Sequence, residues 1–207
     1  MTDTAFVRRR SDAWTAAAAA AGVALAAWAV AGGTVGSFER SVFLFVNGWP
    51  DALQPVLYVF QLLGVLGMPL AVAVVALVLR KWRLALGLLL LVPAKLLVEK
   101  EVLKALVRRE RPGTTIPGAD LRDVPSAGPS FPSGHAIIVF AIVVLLAPYL
   151  RRRWQLLLVV ALAVLNSVAR VYLGAHSPLD VIGGALAGVM IGALLNLALG
   201  VPSRDGP

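Results

Sequence analysis

This chain has only two histidines, and one of them, His176, sits in the stretch Arg170-Val-Tyr-Leu-Gly-Ala-His176-Ser177-Pro178-Leu-Asp180 between two long apolar runs. Serine is a preferred helix N-cap and proline suits the first helical position, which puts Asp180 at N3 of a helix. A carboxylate there closes a capping box and favours the positive helix end. His176 and Asp180 are then i and i+4, within reach of a direct hydrogen bond from one ring nitrogen. The other nitrogen is left free, and a carboxylate-held imidazole is a competent nucleophile or base. Arg170 adds a fixed positive charge. Read alone, the stretch also fits a capped helix beside a bystander histidine. Two further stretches carry the same kind of chemistry: Lys104-x6-Arg111-Pro112, and Pro132-Ser133-Gly134-His135.

The elements that must position these residues are membrane spans. The chain has 207 residues, 59% of them hydrophobic. Its mean hydropathy is +0.84, far above that of a soluble domain. There is no cysteine, which excludes disulfides and thiolate chemistry, and two histidines exclude a multi-histidine metal centre. The net charge of +8 sits in clusters between apolar runs, which speaks against a nucleic-acid partner.

Apolar periodicity predicts six spans: Trp14 to Val35, Pro55 to Leu79, Leu84 to Val98 with a charged extension through Lys104, His135 to Leu150, Gln155 to Leu173, and Leu179 to Leu199. Ser37 to Asp51 reads as an interfacial amphipathic segment. Lys95, inside the third span, is expected to snorkel. Pro112 to Pro132 is a Gly/Pro/Ser-rich loop. Gly184, Gly188 and Gly192 form a small-residue face for close helix packing, within one chain or between two, so the sequence leaves the oligomeric state open.

Six spans put both termini on one side. That side carries Arg8 to Arg10, Arg80, Lys81, Arg83, Arg151 to Arg153 and Arg204. Lysine and arginine near span ends mark the cytoplasmic face. The expectation is a single domain over 1–207, with 1–13 and 201–207 as cytoplasmic tails and 113–131 as an outer loop. The cytoplasmic membrane of a bacterium is the expected location.

With that topology the three stretches meet at the outer face. They bring three cations (Lys104, Arg111 and Arg170), two histidines (His135 and His176), the Asp180 carboxylate, and a helix N-terminus at Ser133-Gly134. Free N–H groups at a helix start bind anions, and glycine lets a phosphate approach the backbone. Lys104 and Arg111 share a helical face if that helix continues to Arg111. An anion site holding two proton-active groups fits phosphoryl transfer. His176 is the better nucleophile, and His135 the better general acid toward the leaving oxygen and later base toward water. Three cations disfavour a metal, so neither metal nor cofactor is expected.

These stretches resemble the three signature motifs of the type-2 phosphatidic acid phosphatase superfamily, the lipid phosphate phosphatases: Lys-x6-Arg-Pro, Pro-Ser-Gly-His and Ser-Arg-x5-His-x3-Asp. Order and spacing match across 104–180, with one departure: Ala169 stands where the family usually has serine, which puts one phosphate hydrogen bond in question. The resemblance implies an all-α bundle of six transmembrane helices with its active site at the outer membrane face. It implies that His176 forms a phosphohistidine, that Asp180 orients it and that His135 protonates the leaving group. Lys104, Arg111 and Arg170 would bind phosphate, assisted by Ser133 and Gly134. Implied substrates are phosphatidate, phosphatidylglycerol phosphate and polyprenyl pyrophosphate, presented among membrane lipids.

Three other readings use the same residues. A non-catalytic lipid-headgroup binder or transporter subunit would need only the cationic pocket, and phosphate release separates it from an enzyme. Vanadate-dependent haloperoxidases share the motifs but are soluble, which six apolar spans oppose. Glucose-6-phosphatase-like enzymes share them too, and nothing here favours a soluble sugar phosphate.

Overall fold

The computed structural model describes residues 5–203. The elements run β1 (Phe6–Val7), α1 (Arg10–Val30), α2 (Ser37–Asn47), α3 (Gln54–Gln61), α4 (Met68–Val78), α5 (Trp82–Leu96), a π-helical segment (Leu97–Leu103), α6 (Lys104–Leu106), α7 (Pro112–Thr115), α8 (Gly134–Leu146), α9 (Arg153–Tyr172), α10 (Pro178–Leu199) and β2 (Val201–Pro202).

Helices α1, α9 and α10 are each long and apolar enough to cross a bilayer. Residues Asp51–Gly64 and Met68–Val78 pass the same test together, but they meet at 66°, the geometry of a broken span or of a re-entrant loop. Gly134–Tyr149 is apolar and shorter. The expectation of six spans is therefore met in part: three to four by length and apolarity among the described residues. The protein is an all-α integral membrane protein, its exposed faces studded with leucine and valine (Val74, Val78, Leu157) that a bilayer would cover.

At the centre α10 packs against α8, and the three glycines of the small-residue face set the approach. A Cβ on Gly184 would lie 2.4 Å from the Ser133 carbonyl, and one on Gly188 2.4 Å from the Ile137 carbonyl. The face thus serves packing within one chain. Leu88, Leu91, Ile137, Ala141 and Ile191 fill the layer between α5, α8 and α10.

One end of the bundle is basic. Arg80, Lys81, Arg83, Arg151, Arg152 and Arg153 line a single cleft with Phe6, Tyr149 and Pro202. Parts of the two stretches expected as cytoplasmic tails pair there: Phe6 with Pro202 and Val7 with Val201, in a two-stranded antiparallel ribbon. Arg83 stacks over Phe6 at 4.1 Å and bonds the Leu199 carbonyl. Arg10 to Ala13 belong to α1. Arg204 lies outside the described residues. Helices α8 and α10 end at this basic pole and α9 begins there, so the start of α8, the end of α9 and the start of α10 gather at the opposite pole.

Candidate active site

At that opposite pole α9 ends with Arg170, Gly174 reverses the chain at φ +78, and Ser177-Pro178 opens α10. Asp180 sits where the capping pattern put it: its Oδ2 accepts the Ser177 N–H at 2.8 Å. His176 is 3% exposed. Burial, reinforced by Arg170, Arg111, His135 and Lys104, holds its pKa well below the usual histidine range. At neutral pH the ring is uncharged, the form a nucleophile needs. The same set of neighbours shows that the three sequence stretches converge on one place.

The direct His176–Asp180 hydrogen bond expected from i, i+4 spacing is not formed. Ser130 stands between them. Its hydroxyl donates to Asp180 Oδ2 at 2.6 Å and lies 3.4 Å from His176 Nδ1. The reason is the cap itself: bonding the Ser177 N–H turns the carboxylate along the helix start and away from the ring. Asp180 Oδ1 accepts from Arg109 Nη1 at 3.0 Å, and Arg109 Nη2 reaches Glu39 Oε2 at 2.5 Å. Glu39 Oε1 also accepts the Leu179 N–H at 2.9 Å. Burial alone would make the Arg109 guanidinium easier to deprotonate, but these two carboxylates raise its pKa above the usual arginine value. Deleting one member of such a buried array typically costs about 3–5 kcal/mol.

The segment read as an interfacial amphipathic helix, α2, clamps this array. Glu39, Phe43 and Asn47 recur every four residues on its inner face and are all buried. Phe43 packs with Ile116, Ala136, Val171 and Val181, and Asn47 holds the Asp120 and Tyr172 carbonyls at 2.8 Å each. Phe38, Val42 and Phe45 face out, the apolar side an interfacial helix presents to lipid. The loop over 113–131 is pinned as well: Arg122 bonds Asp51 and the Asn47 and Tyr172 carbonyls.

His135 opens α8 one residue after Gly134, with Ser133 as N-cap. Its ring is accommodated at the break in the second span: a Cβ on Gly64 would stand 2.6 Å from His135 Cβ. Arg170 bonds the Gln61 side chain, and Asn166 Nδ2 donates to the Gln61 backbone carbonyl at 3.0 Å. Arg111 Nη1 donates to the Ala175 carbonyl at 3.0 Å. Ala169 is buried in an apolar cluster with Leu57, Tyr172 and Leu173.

Two expectations for the third span are corrected. The helix stops at Leu106 and Val107 is extended, so Lys104 and Arg111 do not share a helical face; Arg111 reaches the site from the loop. Lys95 does not snorkel. It pairs with Glu99 Oε2, while Glu99 Oε1 takes Lys104 at 2.6 Å. In an α-helix, a residue five along is turned by about 140°. The wider π-helical turn over 97–103 brings Lys104 back above Glu99, as i→i+5 geometry allows.

Glu39, Gln61, Glu99, Arg109 and Ser130 were not singled out from sequence as site residues. Arg109 lies inside the Lys-x6-Arg-Pro spacing and Ser130 three residues before Ser133, which was the available signal. Nothing in sequence pairs Glu39 with Arg109, 70 positions away.

Residues 80–201 match the PAP2 superfamily. The chain belongs to that superfamily. It is 40% identical over 96 residues to an undecaprenyl-diphosphatase of Sulfolobus acidocaldarius, covering 45% of each chain. It is 38% identical over 91 residues to the lipid A 4'-phosphatase of Bacteroides thetaiotaomicron, covering 42% of this chain and 40% of that one. The matched parts thus span less than half of these curated relatives. The fold is similar to the crystal structure of a transmembrane PAP2-type phosphatidylglycerolphosphate phosphatase from Bacillus subtilis, with TM-score 0.71 and 23% identity over 88% of this chain and 94% of that one.

Proposed function

We propose that this PAP2 protein is a lipid phosphate phosphatase that works through a phosphohistidine on His176. The observation that carries the reading is the buried His176 imidazole with Arg170, Arg111, His135 and Lys104 around it. Such a ring can attack phosphorus while the cations take the charge of the equatorial oxygens.

In the first step the His176–phosphorus bond forms and the bond from phosphorus to the lipid-side oxygen breaks. His135, which takes up a proton beside the bound phosphate anion, donates it to that oxygen. In the second step His135, now neutral, takes a proton from water, whose oxygen displaces His176 and releases inorganic phosphate. Ser133 Oγ and Arg170 Nε, both buried without a hydrogen-bond partner among the described residues, suit a phosphate as acceptor. The protein's own anion behaves in the expected way: Glu99 rests against the start of α8 on Lys104.

In this reading the six-span arrangement puts the basic pole in the cytoplasm and the site at the outer face. The substrate keeps its chains in the bilayer beside α2. Phosphatidate, phosphatidylglycerol phosphate and polyprenyl pyrophosphate are the candidates, and the relatives' names keep both mono- and pyrophosphates in view. The test is phosphate release by the purified protein from each of the three, in excess chelator. Release from at least one without divalent metal is expected. Binding of all three with no release from any would instead favour a headgroup-binding protein, and activity restored only by magnesium would overturn the metal-free scheme.

A further inference from the structure

Asp180 touches the catalytic imidazole only through Ser130. An ionised carboxylate is acceptor-only. Asp180 faces a guanidinium and a backbone N–H, so the Ser130 hydroxyl hydrogen must point to Oδ2 across the 2.6 Å contact. That leaves an oxygen lone pair toward His176 Nδ1, 3.4 Å away and long for such a bond. A lone pair there favours a proton on Nδ1. In a neutral ring, Nε2 is then bare. The hydrogen bond on one ring nitrogen decides the state of the other.

The line continues behind Asp180. Arg109 is fully buried and spans from Asp180 to Glu39, and Glu39 also holds the Leu179 N–H at the start of α10. Residues from α2, the 107–111 connection, the 113–131 loop edge and α10 therefore end on one ring nitrogen. Ser130 is itself held by its backbone: its N–H donates to the Arg109 carbonyl at 2.7 Å.

We propose that Ser130 is the positioning residue that sets the tautomer of His176, and that Arg109 and Glu39 hold Asp180 in place to orient Ser130. Its catalytic half rests on the phosphohistidine reading; the tautomer itself does not. Removing the outer partner of a metal-bound histidine typically costs about 10–100-fold, and the same order is expected for a histidine nucleophile. Ser130→Ala should lower kcat by that order while the KM and the affinity for inorganic phosphate stay within about twofold, because phosphate is held by other residues. Ser130→Thr keeps the hydroxyl and should restore most of kcat. Arg109→Lys, which offers one point charge to two carboxylates, should give an intermediate loss.

With two histidines in the chain, the decisive measurement is ¹⁵N NMR of histidine-labelled full-length protein, with His135→Asn to assign the signals. Wild type and Ser130→Thr should show His176 protonated at Nδ1; Ser130→Ala should show a mixture or the Nε2 form. A wild-type His176 protonated at Nε2, or a Ser130→Ala protein with unchanged tautomer and unchanged kcat, overturns the proposal. Absence of phosphate release by wild type would sink the enzymatic reading while the tautomer result still decides the role of Ser130.

Discussion

The Glu99 carboxylate lies against the first residue of α8, so that a Cβ on Gly134 would be 2.7 Å from its Oε1. In the proposed function this helix start takes the phosphate, and Glu99 reaches it through the π-helical turn. A fixed negative charge beside a phosphate site works against phosphate, and such like-charge contacts cost up to several kcal/mol. Glu99→Gln should therefore tighten competitive inhibition by inorganic phosphate, on the order of tenfold. An unchanged or weaker inhibition constant in a folded Glu99→Gln protein would give Glu99 a purely structural role between Lys95 and Lys104.

The two histidines should separate by substrate. His176→Ala removes the covalent route for every substrate. His135→Ala impairs leaving-group protonation, worth typically about 10²–10⁴-fold on a lipid phosphate. The nitrophenolate of a nitrophenyl phosphate leaves without a proton, so the His135→Ala defect should shrink on that substrate. Phosphate release by both variants on both substrates makes the comparison. Rescue of His176→Ala by the activated ester, with His135→Ala dead on both, would exchange the roles.

Stability should report the state of His176 through its pH dependence. Burial and nearby cations keep the folded pKa far below the ordinary value. The unfolded chain takes up a proton near pH 6.5. Stability from the neutral buried ring is then fully present above about pH 6.5 and falls as pH drops below it, by up to about 1.4 kcal/mol per pH unit. Melting curves of wild type and His176→Gln should diverge below pH 6.5, with the wild type losing stability faster. Parallel curves would mean that the folded ring titrates normally.

Orientation is open to labelling. Ala127→Cys lies on the exposed loop at the site pole and Arg152→Cys on the basic pole. An impermeant thiol reagent on intact cells should modify the first and spare the second. The opposite pattern would turn the active site toward the cytoplasm.

Much of the chemistry was legible in the order of residues because motif spacing is local. Ser177-Pro178-x-Asp180 caps a helix wherever it occurs, and the carboxylate took its predicted place on the Ser177 N–H. Hydropathy likewise marks apolar runs whatever packs against them, and the glycines at 184, 188 and 192 announced a close helix contact. Span topology also brought the three motif stretches to one pole; what lay beyond the sequence was which other distant segments pack against them. That α8 is the partner of the glycine face, that Glu39 on α2 closes on Arg109, and that Gly64 makes room for His135 are outcomes of packing, in which volume and charge are matched between segments about 50–70 positions apart. Local geometry even misled in one place. The i, i+4 spacing allowed His176 to bond Asp180 directly, but the cap and Arg109 fix the carboxylate in a direction away from the ring. Only the tertiary structure could insert Ser130 into the gap, because its loop is carried there by Arg109, which Glu39 and Asp180 hold between them.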